Sequence, residues 1–221
     1  MALSSMFGLA CPTPAGAAGK TELPAPAIDL APPKEGQEQT RTAVLANGCF
    51  WCTEAVFEEL DGVISAVSGY TGGKKEDADY EKVSSKRTGH AEAVKVTYDP
   101  RKITYAKILQ IFFATHDPTT KDRQGNDVGP QYRSAIFYEN DEQKRVAQAY
   151  IKQLEDAKAF DKPIVTTLEP MTAFYPAERE HQNYARTNPF NPYVRAVALP
   201  KVKKVREQFK EDLKKDEAGK K

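Results

Sequence analysis

Two of the chain's three cysteines lie three residues apart, in Gly48-Cys49-Phe50-Trp51-Cys52. Thr42 to Ala46 reads as a short strand, and Gly48 breaks it. Phe50 to Leu60 reads as a helix, with Ala55, Val56, Glu59 and Leu60 at helical spacing. Cys49 therefore stands where a strand turns into a helix. A helix start carries unpaired N–H groups and the positive end of the macrodipole, and both favour an anion. A thiolate there is expected to form near neutral pH. Positions i and i+3 face one side of a turn, so Cys52 is in reach, and the spacing suits the roughly 4.4–6.8 Å Cα separation of a disulfide. Four readings stay open from these residues. One is a zinc site completed by His90, His116 or His181, although the second Cys-x-x-Cys half is missing. Another is a thioredoxin-like exchanger, with Phe50 and Trp51 between its thiols. The third is a nucleophilic cysteine enzyme whose substrate has a small apolar end, with those two rings as its wall. The last is a pair of buried structural cysteines, which sits poorly beside a glycine at such a turn.

Proton chemistry has candidates elsewhere. In Gly89-His90-Ala91-Glu92-Ala93-Val94-Lys95-Val96-Thr97-Tyr98, strand parity puts Glu92 on one face with Val94, Val96 and Tyr98. A carboxyl on an apolar face has a raised pKa and can act as an acid. If the strand begins only at Ala93, Glu92 is instead a solvated loop residue. Gln124 to Ser134, holding Asp127 and Tyr132, combines loop chemistry with a strand start. Tyr80 lies in the polar stretch Asp79-Tyr80-Glu81-Lys82-Val83. Taken alone, either tyrosine is an ordinary packing or surface residue. Phe174 to Tyr184, with His181 and Tyr184, is rich in polar aromatics without periodicity.

The elements that must position these groups follow from pattern. Ile64–Tyr70 is a strand ended by Gly72-Gly73, and Ala93–Tyr98 a third strand stopped by Asp99-Pro100. Tyr105, Ile108, Leu109 and Phe112 mark a helix face that ends before Pro118. Arg133–Tyr138 is a strand. Asn140 with Gln143 resembles a capping box opening a helix whose buried face is Val146, Ala149, Tyr150 and Leu154. Ile164–Leu168 is the last clear strand. The fold expected is α+β: a two-layer sandwich of a mixed sheet with packed helices, around a ferredoxin-like core.

The chain has 221 residues, a size for one domain with tails. Its 32 Lys plus Arg against 31 Asp plus Glu give a net charge of +1, without the basic field of a nucleic-acid binder. No run approaches the roughly 18 apolar residues of a membrane span. Three cysteines are too few for a disulfide-stapled secreted scaffold. Residues 1–41 are rich in proline and alanine and read as a flexible tail. Residues 42–199 read as the folded body, the candidate catalytic domain. Residues 200–221 form a basic end in which Val202, Val205 and Phe209 mark an amphipathic helix. The expected location is cytoplasmic. The alternative is export, if residues 1–18 are a signal remnant, but their positive n-region is missing.

Six blocks, in order over about residues 42–199, resemble the A-class peptide methionine sulfoxide reductases: Gly48-Cys49-Phe50-Trp51, Ser68 to Gly73, Thr88 to Val94, His116-Asp117-Pro118 through Asp127, Gln131 to Ser134, and Phe174 to Glu178 with His181-Gln182. The resemblance implies reduction of methionine S-sulfoxide, free or in oxidised proteins and peptides, to methionine. It implies Cys49 as nucleophile and Glu92 as the acid for the sulfoxide oxygen, with Tyr80 and Tyr132 holding that oxygen and Asp127 supporting the thiolate side. Phe50 and Trp51 would enclose the S-methyl group, with His181 and Tyr184 lining the site. The Cys49 sulfenic acid would condense with a thiol. Many family members use cysteines near the C-terminus, whereas this chain has none after Cys52. Cys52 is therefore the implied resolving thiol, with Cys11 a weaker candidate, and a thioredoxin-type reductant the recycling partner. No metal or organic cofactor is implied, and a monomer is expected. Ser85-Lys86-Arg87 and Arg179-Glu180 depart from the usual run, at loop positions.

Overall fold

In the computed structural model, residues 22–34 and 40–215 are described. The central sheet begins with β1 (Arg41–Asn47), followed by α1 (Phe50–Glu58), β2 (Val63–Thr71), the short α2 (Tyr80–Ser84), β3 (Ala91–Tyr98) and α3 (Tyr105–Ala114). A small ribbon of β4 (Arg123–Gln124) and β5 (Asp127–Val128) precedes β6 (Ser134–Tyr138) and α4 (Asp141–Asp156). The chain finishes with β7 (Thr167–Pro170), β8 (Phe174–Pro176), α5 (Tyr184–Thr187) and α6 (Leu199–Gln208).

The sheet order is β7-β6-β1-β3-β2-β8. Its inner four strands are antiparallel and, with α1 and α3 as crossovers, form the expected ferredoxin-like core. β7 joins parallel to β6, which makes the sheet mixed. Side-chain parity divides the faces. Leu45, Tyr70, Val94, Val96, Tyr98 and Ile136 pack into the main core with residues of α1, α3 and α4. On the other face Val44, Ala46, Ala91, Ala93, Ala135 and Phe137 meet Met171 and Phe174. The small alanines let the segment between β7 and β8 lie close to the sheet. Gly62 turns α1 into β2 with φ +88°, where a Cβ would lie 2.7 Å from Lys102 Cβ.

Local signals explain the helix starts. Thr104 accepts the Lys107 N–H and Asn140 accepts the Gln143 N–H, each as an N-cap. The capping box is displaced by one residue, since Gln143 Oε1 accepts the N–H of Glu139, 2.9 Å away. The buried face of α4 is Val146, Ala147, Tyr150 and Leu154, with Ala147 in the place expected of Ala149.

Two expectations about the elements need correction. The strand predicted at Ile164–Leu168 starts at Thr167; before it, Val165 N–H bonds to Pro118 O at 2.8 Å, outside any ladder. The flexible tail predicted over 1–41 does not hold for residues 22–34, which pack on α3 and α4. Leu23 is buried, Tyr150 donates to Pro24 O (2.9 Å), and Asp29 accepts the Ala106 N–H (3.1 Å). A proline-rich strand of this kind needs no sheet partner when helix side chains take its carbonyls. Residues 1–21, including Cys11, and 35–39 lie outside the described residues. The C-terminal helix docks on the body along the face its pattern predicts: Val202, Val205 and Phe209 are buried, and Lys214 N–H donates to Glu59 O at 2.8 Å. Among the described residues no helix is long and apolar enough to cross a membrane.

Candidate active site

The turn after β1 places Cys49. Gly48 has φ +97°, and a Cβ there would stand 2.7 Å from Gln124 Cβ and Cγ. Gln124 is clamped to Asp117 through both ends of its amide, at 3.1 Å each. Only glycine fits this turn, which aims Cys49 at the N-cap of α1. The cysteine side chain makes no capping bond and stays available. Thr53 Oγ1 donates to Asn47 Oδ1, tying the helix back to the strand.

Glu92 reaches the same point from β3, where it is paired with Tyr70 of β2. The strand begins at Ala91, so Glu92 lies on the face parity assigned to it. It is 2% exposed, and its Oε2 accepts the Phe50 N–H at 3.0 Å. That single bond does not offset burial, which pushes the carboxyl up to about 8. At neutral pH Glu92 is therefore mostly a neutral acid, one residue from the thiol.

Tyr80 and Tyr132 face the same place. Burial first, then the Glu92 charge, raises both phenols, and Cys49 adds to each. Both keep their protons. Tyr80 is the first residue of α2, not a loop residue, and its N–H donates to Glu178 Oε1 at 2.9 Å. Tyr70 donates to the other Glu178 oxygen at 2.8 Å. Against the penalty of burial, backbone N–H groups and the Tyr70 hydroxyl hold the Glu178 carboxyl below its ordinary value.

The second thiol is linked to a different set of groups. Cys52 Sγ lies 3.9 Å from the Tyr193 hydroxyl, and Tyr193 donates to Asp127 Oδ2 at 2.5 Å. Both cysteines are free thiols. The thiolate expected at Cys49 is not the resting form. Burial, the Cys52 thiol and the Glu92 carboxylate push the Cys49 thiol well up. The helix N-terminus does not outweigh them, because its first N–H is committed to Glu92. Cys52 is the thiol pushed down, chiefly by the hydrogen bond from Cys49.

An aromatic wall closes the remaining side. Trp51 stacks on Tyr184 with ring centres 3.8 Å apart and an interplanar angle of 12°. His181 lies 5.6 Å from Phe50, 5.8 Å from Trp51 and 4.2 Å from Tyr80. Tyr193 meets Trp51 edge-on at 6.0 Å.

All ten predicted site residues thus belong to one constellation around Cys49. Tyr193, Tyr70, Glu178 and Gln124 were not singled out by sequence. Glu178 and Tyr70 fall inside motif blocks but carry no spacing signal of their own, and Tyr193 follows Pro192 in an aperiodic stretch. The histidines do not converge. His116 is held between Phe112 O (2.6 Å) and Ser134 Oγ (2.7 Å), and burial pushes it down to about 3. His90 Nε2 is 2.8 Å from Lys74 O. Among the described residues no cluster of three or more His, Cys, Asp or Glu could hold a metal ion.

A protein-family model described as peptide methionine sulfoxide reductase matches residues 41–213. Among curated proteins, the chain is 52% identical over 174 residues to the peptide methionine sulfoxide reductase MsrA of Natronomonas pharaonis, covering 79% of this chain and 98% of that protein. It is 54% identical over 168 residues to an MsrA of Thermus thermophilus, covering 76% and 94%. Among solved structures it is similar to reduced Mxr1 of Saccharomyces cerevisiae, with TM-score 0.64, 34% identity, and 72% and 91% of the two chains covered. Methionine sulfoxide reductase A of Corynebacterium diphtheriae gives TM-score 0.61, 32% identity, and 78% and 89%.

Proposed function

The chain belongs to the peptide methionine sulfoxide reductase family and is an oxidoreductase that reduces methionine sulfoxide, and on that premise we propose how its residues divide the work. The observation that carries the proposal is the Glu92 carboxyl bonded to the Phe50 N–H, one residue from the Cys49 sulfur. Glu92 protonates the sulfoxide oxygen, which leaves only as it gains a proton. The Tyr80 and Tyr132 hydroxyls hold that oxygen, while Phe50 and Trp51 enclose the methyl group. Cys49 Sγ attacks the sulfoxide sulfur, and the S–O bond breaks. The hydroxyl passes to the Cys49 sulfur as the bond between the two sulfurs breaks, which leaves Cys49 as a sulfenic acid and releases methionine. Cys49 sulfur is oxidised by two electrons and the substrate sulfur reduced by two. The proton that Cys49 gives up restores Glu92.

Cys52 is proposed as the resolving thiol. Its sulfur displaces hydroxide from the sulfenic acid, which departs as water and leaves a Cys49–Cys52 disulfide. A thioredoxin-type dithiol then exchanges with that disulfide and leaves oxidised. Of the two buried cysteines, residue Cys49 keeps 7% of its surface exposed and Cys52 none, so the incoming thiolate is proposed to attack at Cys49. The proposed substrates are free methionine sulfoxide and the residue in oxidised proteins.

The oxygen and methyl subsites fix two of the sulfur's three substituents, so one epimer alone points the rest of its chain outward. That epimer is taken to be S. The test is turnover of each resolved epimer of a methionine sulfoxide peptide with a dithiol reductant. Reduction of the S epimer only is expected, and Cys49→Ser should reduce neither. Equal rates for both epimers would remove the two-subsite arrangement.

A further inference from the structure

One buried carboxyl is not used by this chemistry. Glu54 of α1 is 1% exposed. Its Oε2 accepts the Asn183 N–H at 2.9 Å, and Oε1 closes no hydrogen bond among the described residues. Ser68 of β2 adjoins it, also without a partner of normal geometry for its hydroxyl. A carboxyl so poorly satisfied costs stability, and an apolar side chain would fill the position with less penalty.

Its one bond falls on a demanding residue. Asn183 has φ +54°, in the left-handed region, immediately before Tyr184 opens α5. Tyr184 is the ring stacked on Trp51, and Trp51 precedes Glu54 by three positions, on the same helix face. One face of α1 thus holds both residues 183 and 184, the first by hydrogen bond and the second by stacking. Gln182 is clamped separately: its amide donates to Ser68 O and Ala177 O at 2.9 Å and accepts the Ser68 N–H at 3.1 Å.

We propose that Glu54 is a positioning residue, whose acceptor oxygen fixes Asn183 and thereby keeps Tyr184 against Trp51, setting the shape of the wall that receives the substrate's methyl group. This rests on the methyl-subsite reading given above. It touches no reacting atom, so its loss weakens substrate binding and leaves the chemical step alone.

Trp51 is the only tryptophan in the chain, so its fluorescence reports on the wall without any reaction. The experiment compares Glu54→Met, Glu54→Asp and Glu54→Gln in the full chain. Met keeps the volume without an acceptor, Asp withdraws the acceptor by one methylene, and Gln keeps an acceptor oxygen in place. Met and Asp are expected to raise KM for an S-sulfoxide peptide roughly 5–10-fold, the value of one hydrogen bond. Their saturating single-turnover rates should stay within about twofold, with Trp51 emission shifted to the red and more open to acrylamide. Gln should restore most of both. Wild-type KM and emission in folded Met or Asp protein would overturn the proposal, as would Gln behaving like Met. If the wild-type protein reduced no sulfoxide while the emission shift appeared, the methyl-subsite reading would fail and the positioning role would stand.

Discussion

On one side of Cys49 stand Glu92, Tyr80 and Tyr132, three oxygen acids kept protonated by burial. On the other stand Cys52, Tyr193 and Asp127, a hydrogen-bonded run that ends on a side-chain carboxylate oxygen. Each side contains a carboxyl group, Glu92 beside the residue that follows Cys49 and Asp127 linked through Tyr193 to Cys52. Their difference lies in what each carboxyl accepts. Glu92 takes one backbone N–H in a buried strand and keeps its proton. Asp127, half-buried on a two-residue strand, accepts the Tyr193 hydroxyl at 2.5 Å and orients that tyrosine toward the second thiol. The first side is suited to give a proton, the second to hold a thiol ready.

The comparison breaks most readily at Glu92. Glu92→Gln should lower the first-turnover rate by about 10²–10⁴, the usual contribution of a positioned acid. The wild-type rate should fall as pH rises through about 8, because the acid form disappears there. Stability carries the same signature. The folded carboxyl binds its proton more tightly than the unfolded one, so the native state loses ground as pH rises from the ordinary value near 4.5 to about 8. Thermal melts should show Glu92→Gln losing less between pH 5 and 9 than wild type. A first-turnover rate unchanged by the substitution, and still falling at pH 8, would assign the acid to another group.

The next effect belongs to the opposite side. Cys52→Ser should complete one turnover at a normal rate and then stop with thioredoxin as sole reductant, a loss of roughly 100-fold or more in steady state, since among the described residues no other thiol remains to condense with the sulfenic acid. Mass spectrometry of the oxidised wild type should find Cys49 joined to Cys52. Sustained cycling of the serine variant would transfer the resolving role away from Cys52.

The two sides also differ in how much of them can be read from sequence. The acid side hangs on β3, where period-2 alternation places Glu92 with Val94, Val96 and Tyr98, and the structure keeps that parity. The core strands and α1, α3 and α4 are legible for the same reason: each buries one face and repeats. The opposite side depends on segments with no period. Tyr193 is set by the turn at Asn191, whose Oδ1 accepts its N–H at 2.9 Å, and by the short π-helix Val194–Ala198 that follows. Tyr80 reads as loop because a five-residue helix has too few turns to show a face. The resting state of Cys49 is illegible in the sequence for a different reason. A helix start can be inferred from sequence, but the carboxyl that occupies its first N–H comes from a strand more than forty residues away.

Tyr193→Phe gives the smallest expected effect and the cleanest separation of the two sides. The ring stays, so its edge contact with Trp51 at 6.0 Å survives and the substrate wall keeps its shape. Only the hydroxyl between Cys52 and Asp127 is removed. One neutral hydrogen bond is worth about 1 kcal/mol, or roughly fivefold, and it acts on the thiol that resolves the sulfenic acid. Disulfide formation, followed by the consumption of Cys52 after one equivalent of sulfoxide, should therefore slow about 3–10-fold. The first release of methionine should change less than twofold, because Glu92, Tyr80 and Tyr132 are untouched. If the release step slowed as much as disulfide formation, Tyr193 would serve the sulfoxide as well as the thiol, and the two sides would have to be treated as a single hydrogen-bonded unit.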